Sequence, residues 1–285
     1  MPQNSGNTPS RITAVDQLRG YAIFGMLVVN ASGYFNFKMD QIGHHRDWFS
    51  YADTIAPLFL FVVGMGMRLS WLNRSEKVGP TEARWAMAKR FTVLVLIGFT
   101  IYGGWLWDAL TDIGLCGLLA LFLIDKKPAV RIGAAFAFLA VYQAMFSWTI
   151  YGEWVNRTIA FVGDGAVSVP AIIRAIPQWE ELFEVSLNGG PLGPLSWVMM
   201  LLFGSVAYDL LASRDEKKFI TACLAWGIGL CVAGVLFQIP WGETKALWPT
   251  TAYLMTAPFP LWSTGLCFLT LLIFYITCDK IGFEI

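Results

Sequence analysis

The stretch HHRDWFSYADTIAP, residues 44–57, holds both histidines of the chain, with Asp53 following in the same stretch. An imidazole beside a carboxylate is the usual equipment of general base or nucleophilic catalysis near neutral pH. Upstream, Asn30 interrupts the apolar run YAIFGMLVVNASG, where a buried amide needs hydrogen-bond partners. Asp16 and Arg19 precede it at helical spacing; at about 1.5 Å per residue, Asn30 stands roughly 16 Å deeper along the same helix than Arg19. Ionisable groups inside apolar helices are costly, so each is a candidate pathway, ion pair or reaction site. Plainer readings compete. Thr13 and Asp16 fit a capping box, Arg19 would equally snorkel to headgroups, Asn30 would equally bridge two helices, and paired loop histidines are often ordinary. No metal site is expected, because no third His, Cys or carboxylate stands at ligand spacing from the histidines.

The elements that must position these groups are membrane helices. Of 285 residues, 56% are hydrophobic and 14% charged, and the mean hydropathy is +0.56, more than a soluble domain of this size needs to fill its core. Net charge is zero, so no basic surface argues for nucleic acid, and none is expected as a partner. The five cysteines are odd in number and lie in or beside apolar runs, which predicts small hydrophobes without a disulfide framework. Residues 1–10 are polar and uncharged, unlike a signal peptide, and read as a disordered cytoplasmic tail.

Spans of about 20 apolar residues are predicted at 15–37, 51–72, 89–107, 110–125, 129–150, 192–212, 219–239 and 256–278, the fourth being short. The fold class is therefore an all-α polytopic membrane protein of about eight transmembrane helices. Lys and Arg concentrate in alternate connections, which makes both termini cytoplasmic and sends the histidines to the far side. Residues 11–285 form one transmembrane domain. Its long far-side loop, 152–191, carries an interfacial helix in PAIIRAIPQWEELFEV, and loops of that length are uncommon without a task.

The run VDQLRGYAIFGMLVVN, then HRDW, then YADTIAPLFLFVVGMGMRLS resembles the heparan-alpha-glucosaminide N-acetyltransferase family of the transmembrane acyltransferase superfamily. The similarity continues through KRFTVLVLIGF, DIGLCGLLAL, GPLSWVMMLLFGSVAYDLL and KALWPTTAYLMT. The chain departs from that pattern in a short Trp48-to-Asp53 interval, in NGGPLGPL ahead of the sixth span, and in ending at CDKIGFEI, as a compact or C-terminally shortened member would. The resemblance implies transfer of an acetyl group from cytosolic acetyl-CoA, across the membrane, to an amine or hydroxyl of a sugar on the far side. It implies that Asn30 and His45, which makes H-x-x-W with Trp48, are catalytic.

On that reading Asp53 orients His45, and Arg19, Arg68, Lys89 and Arg90 are the cytoplasmic candidates for the CoA phosphates. Asp16, His44, Trp48, Glu180 and Glu181 are the expected substrate contacts. His45 either deprotonates the acceptor or carries the acetyl group itself. Acetyl-CoA is the donor and no metal is needed. The expected partners are the lipid bilayer, acetyl-CoA and a sugar or glycan acceptor, with a homodimer left open, and the expected location is a bacterial inner membrane. The alternative is a transporter, or an inactive scaffold, with a polar intramembrane cluster.

Overall fold

A computed structural model of the chain describes residues 12–34, 41–43, 49–101, 107, 109–160, 188–239, 248 and 250–283. These contain helices α1 (Thr13–Tyr34), α2 (Ala52–Val78), α3 (Pro80–Ile101), α4 (Ala109–Ala120), α5 (Pro128–Trp148), α6 (Ile150–Ala160), α7 (Gly193–Ala212), α8 (Glu216–Gln238) and α9 (Pro258–Phe274), and no strand. A π-helical turn, Tyr275–Lys280, continues α9. Each of the eight predicted spans falls on a helix. Among the described residues, five stretches are long and apolar enough to cross a membrane: Ala52–Val78, Pro128–Trp148, Gly190–Ala212, Glu216–Gln238 and Pro258–Lys280.

The fold adds two features to the sequence reading. The loop predicted from residue 152 begins as helix α6. Thr149 is extended and breaks α5, and its hydroxyl then accepts from the Tyr151 N–H at 3.1 Å, capping the new helix. At α1, where Thr13 and Asp16 fit a capping box, a cap comes from 265 residues away. Asp279, at the end of the α9 extension, accepts the N–H of Thr13 at 3.0 Å and of Ala14 at 2.9 Å. Thr13 is already helical, so its hydroxyl does not stand at the N-cap position, and two of the orphan donors of α1 go to a neighbouring helix. The helix predicted within PAIIRAIPQWEELFEV lies outside the described residues.

Helix α7 is the centre of the bundle. Every residue from Ser196 to Ala207 is buried, as expected of a helix that is apolar all round. The outer helices instead present apolar stripes outward. Leu224, Ile228, Val232 and Leu236 of α8, one turn apart, are 42 to 53% exposed, and Ile23, Phe24 and Leu27 of α1 do the same. Such stripes are stable against lipid tails, not against water.

Lipid tails are as apolar as leucine, so helices in a bilayer must be held by close packing and polar ties. Both occur at α7. A Cβ on Gly64 of α2 would stand 1.9 Å from the Leu201 carbonyl oxygen, and a Cβ on Gly204 would stand 1.9 Å from that of Phe61. The two backbones touch there, and only glycine admits the contact. One layer toward the Arg/Lys-rich end, Asp209 of α7 lies between two arginines. Arg68 of α2 donates Nε to Asp209 Oδ1 at 2.8 Å and Nη1 to the Ile124 carbonyl at 2.6 Å. Arg131 of α5 is fully buried. It donates Nη2 to Asp209, Nη1 to Ser205 Oγ at 2.7 Å and Nε to the Lys126 carbonyl at 3.1 Å. Three helices and the turn after α4 are thus pinned by one carboxylate.

Removing one partner of a buried charge network leaves the others uncompensated, at a cost of about 3–5 kcal/mol. Asp209→Ala is therefore expected to lower the unfolding temperature in detergent sharply, because it leaves two guanidiniums facing each other. An unchanged unfolding temperature would show that the triad does not hold the bundle.

Candidate active site

The end of the bundle opposite the arginine triad contains a cavity of about 390 Å³, lined by residues of α1, α2, α4, α7 and α9. Asn30, Asp53, Asp112 and Asn188 are its polar lining, and Phe59, Trp197 and Phe259 are part of its apolar wall. The volume is that of a small-ligand site with a few convergent polar groups.

Asn30 reaches it from the last turns of α1. The helix is brought against α2 by Gly25, where a Cβ would meet Ile55 Cδ1 at 2.6 Å. Asp53 is 3% exposed, in the first turn of α2. Its Oδ2 accepts from the Ser50 N–H at 2.9 Å and from the Ser50 hydroxyl at 3.2 Å, so it also serves as the acidic half of a capping box.

Asp112 stands likewise in the first turn of α4 and is 1% exposed. The Asn188 Nδ2 donates to Asp112 Oδ2 at 3.0 Å and lies 3.3 Å from the Trp107 carbonyl. Asn188 opens the NGGPLGPL segment that leads into α7. Its φ of +55°, with +82° at Gly189 and +65° at Gly190, makes three successive left-handed residues, a conformation that glycine and asparagine tolerate best. The turn is anchored on every side. Trp197 Nε1 donates to the Asn188 carbonyl at 3.2 Å, the Tyr151 hydroxyl donates to the Gly189 carbonyl, and the Tyr142 hydroxyl, which lies 3.4 Å from that carbonyl, donates to the Leu254 carbonyl. The Gly189 N–H donates to the Tyr253 carbonyl at 2.9 Å. Behind it, Ser196 Oγ donates to the Met255 carbonyl at 2.7 Å, and the Ala257 N–H donates to Gln143 Oε1 at 2.7 Å. The segment before α9, which lends Ala252 to the cavity, is fixed by these bonds to α5 and α7.

The predicted residues divide by location. Asn30 and Asp53, from different helices, share the cavity. Asp16, Arg19, Arg68, Lys89 and Arg90 belong to the opposite, basic end. Arg19 Nη1 lies 3.5 Å from Asp16, and its Nη2 comes within 3.8 Å of a Cβ on Gly66 of α2. Lys89 lies 5.4 Å over the Trp85 ring and Arg90 is exposed, whereas Arg68 is engaged in the triad. His44, His45, Trp48, Glu180 and Glu181 lie outside the described residues. Among the described residues no three His, Cys, Asp or Glu side chains converge as metal ligands. Asp112 and Asn188 were missed by sequence reasoning. An aspartate opening the apolar run DIGLCGLLAL and an asparagine opening a double-glycine turn were the available signals.

Residues 11–235 match the family model of the heparan-alpha-glucosaminide N-acetyltransferase catalytic domain. The chain belongs to this family. It is 30% identical over 293 residues to the uncharacterized protein YxaH of Bacillus subtilis (strain 168), covering 88% of this chain and 70% of that protein. It is 28% identical over 147 residues to an uncharacterized 39.9 kDa protein in the amylase 3' region of Bacillus acidopullulyticus, covering 50% of this chain and 42% of that one. Family membership places the chain among membrane acetyltransferases, and the polar cavity is built largely from segments inside the matched region.

The Gly189 turn offers a direct check on the geometry. A Cβ there would sit 2.6 Å from the Tyr142 hydroxyl at a left-handed φ. Gly189→Ala is expected to cost about 1–3 kcal/mol, read as a lower unfolding temperature. Gly229→Ala in α8, where a Cβ meets nothing within 4 Å, should be neutral or stabilising by up to about 1 kcal/mol. Equal effects of the two substitutions would contradict the packing described.

Proposed function

We propose that the chain transfers the acetyl group of cytosolic acetyl-CoA across the membrane to an amine, or a hydroxyl, of an aminosugar or glycan on the far side. The observation that carries this reading is the meeting of Asn30 and Asp53 in one cavity, at the end of the bundle away from the Arg/Lys-rich connections. The distribution of Lys and Arg supports eight spans with both termini cytoplasmic, in a bacterial inner membrane.

In this mechanism the phosphates of CoA bind at the basic end through Arg19, Lys89 and Arg90. Arg68, whose Nε and Nη1 are engaged, contributes its remaining Nη2. The acyl arm runs between helices to the far cavity. There the Asn30 amide donates to the oxyanion that develops as the thioester carbonyl is attacked, a contribution that is large in a site shielded from water. His45 removes the acceptor's proton, or takes the acetyl group on its ring nitrogen and passes it on. Asp53, fixed by Ser50, orients the imidazole and stabilises its charged form. Asp16, His44, Trp48, Glu180 and Glu181 are assigned to substrate contacts.

Purified protein in proteoliposomes, given radiolabelled acetyl-CoA and an aminosugar, tests the reading. His45→Ala should abolish transfer, and Asn30→Ala should lower kcat by about 10²–10³-fold. An unaltered rate in His45→Ala would sink the histidine mechanism. Loss of turnover in His44→Ala with retention in His45→Ala would move the role to the neighbouring residue.

A further inference from the structure

We propose that Asp112 is the carboxylate that binds the acceptor amine, and that Asn188 is the positioning residue that aims it into the cavity. The inference rests on the acetyltransferase reading above and adds two residues to it. The described lining of the cavity includes two carboxylates, Asp53 and Asp112, two amides, and no Lys or Arg. Such a lining is complementary to an ammonium group.

The two carboxylates are not equivalent. Oδ2 of Asp53 takes two bonds from Ser50, and both belong to the start of α2. Asp112 is gripped by the neutral amide of Asn188 at 3.0 Å. That amide has little freedom. Its backbone is left-handed, its own carbonyl is held by Trp197, and the next carbonyl is held by Tyr151. A rigid turn thus fixes the orientation of a carboxylate that is 1% exposed and faces the cavity. Rigid support behind a group that must bind in one geometry is what accurate positioning requires.

The proton balance gives Asp112 its task. When an ammonium acceptor becomes an amide, its nitrogen forms a bond to the acetyl carbon, the C–S bond of the thioester breaks, and nitrogen gives up two protons. One is taken by the departing CoA thiolate. The other is surplus, and Asp112, hydrogen-bonded to the acceptor nitrogen, receives it and releases it to water at the far end.

Steady-state kinetics with glucosamine and acetyl-CoA, on the wild-type protein, Asp112→Asn, Asn188→Gly and the double variant, test this. Glycine keeps the left-handed turn and removes only the amide. Asp112→Asn is expected to raise the KM for glucosamine by about 10- to 100-fold, as for a lost hydrogen bond to a charged group, with the KM for acetyl-CoA unchanged. Asn188→Gly should raise it by about 10-fold and add nothing in the Asp112→Asn background, because its effect passes through that carboxylate.

A glucosamine KM unchanged in both single variants would overturn the proposal, as would equal changes in both KM values or fully additive effects. Should Asp112→Asn fail to fold, the KM split in Asn188→Gly decides the question. If the wild-type protein transfers no acetyl group to glucosamine, the acetyltransferase reading fails for this acceptor. The pocket assignment is then judged by the rise in unfolding temperature with glucosamine, which must be present in the wild type and absent in Asn188→Gly.

Discussion

Backbone contact between α2 and α7 is the constraint from which the remaining geometry follows. Gly64 lies against the Leu201 carbonyl and Gly204 against that of Phe61, so the two helices approach as closely as two main chains can. In a bilayer this contact has no hydrophobic driving force behind it and depends on dispersion and fit. Its consequence is positional. Helix α2 carries Asp53 in its first turn and Arg68 about four turns further along, and α7 follows Asn188 and carries Asp209 near its opposite end. Setting the two helices against each other therefore sets the cavity and the ion triad together, about 18 Å apart along α7 from Trp197 to Asp209.

The two ends are stabilised by different physics. At the basic end, charge closes the bundle. Asp209 joins α2, α5 and α7, Asp279 holds the first N–H groups of α1, and Lys280 pairs with Glu216 to tie α9 to α8. At the far end, neutral hydrogen bonds to main-chain carbonyls do the same work through Tyr142, Tyr151, Ser196 and Trp197. Among the described residues, no Lys or Arg stands beside the two carboxylates of the cavity lining.

The amount legible in the sequence follows the range of the interaction concerned. Eight apolar runs sufficed to place eight helices, since hydropathy is a local property. Asn30 and Asp53 stood out because each interrupts or begins such a run. Asp279 as the cap of α1 could not be read, because the partner lies 265 residues away and no local pattern announces it. Arg68 was read as a cation for phosphate, and the structure gives it a half-buried carboxylate partner on another helix. Asp112 and Asn188 have ordinary local explanations, a first-turn acid and a turn asparagine, and acquire another meaning only when α4 and the turn before α7 meet.

The polar groups of the cavity follow a rule set by helix electrostatics. A carboxylate at membrane depth is expensive, and the cost is lowest where unsatisfied N–H groups and the positive end of a helix dipole surround it. Asp53 and Asp112 both occupy first turns, of α2 and α4. Asn30 comes from the last turns of α1, where the dipole is negative and a carboxylate would be disfavoured, and there the chain uses a neutral amide that can donate. Up-and-down topology brings the start of one helix beside the end of the next. A cavity at that level therefore receives the acids Asp53 and Asp112 from starting helices and the neutral amide of Asn30 from an ending one.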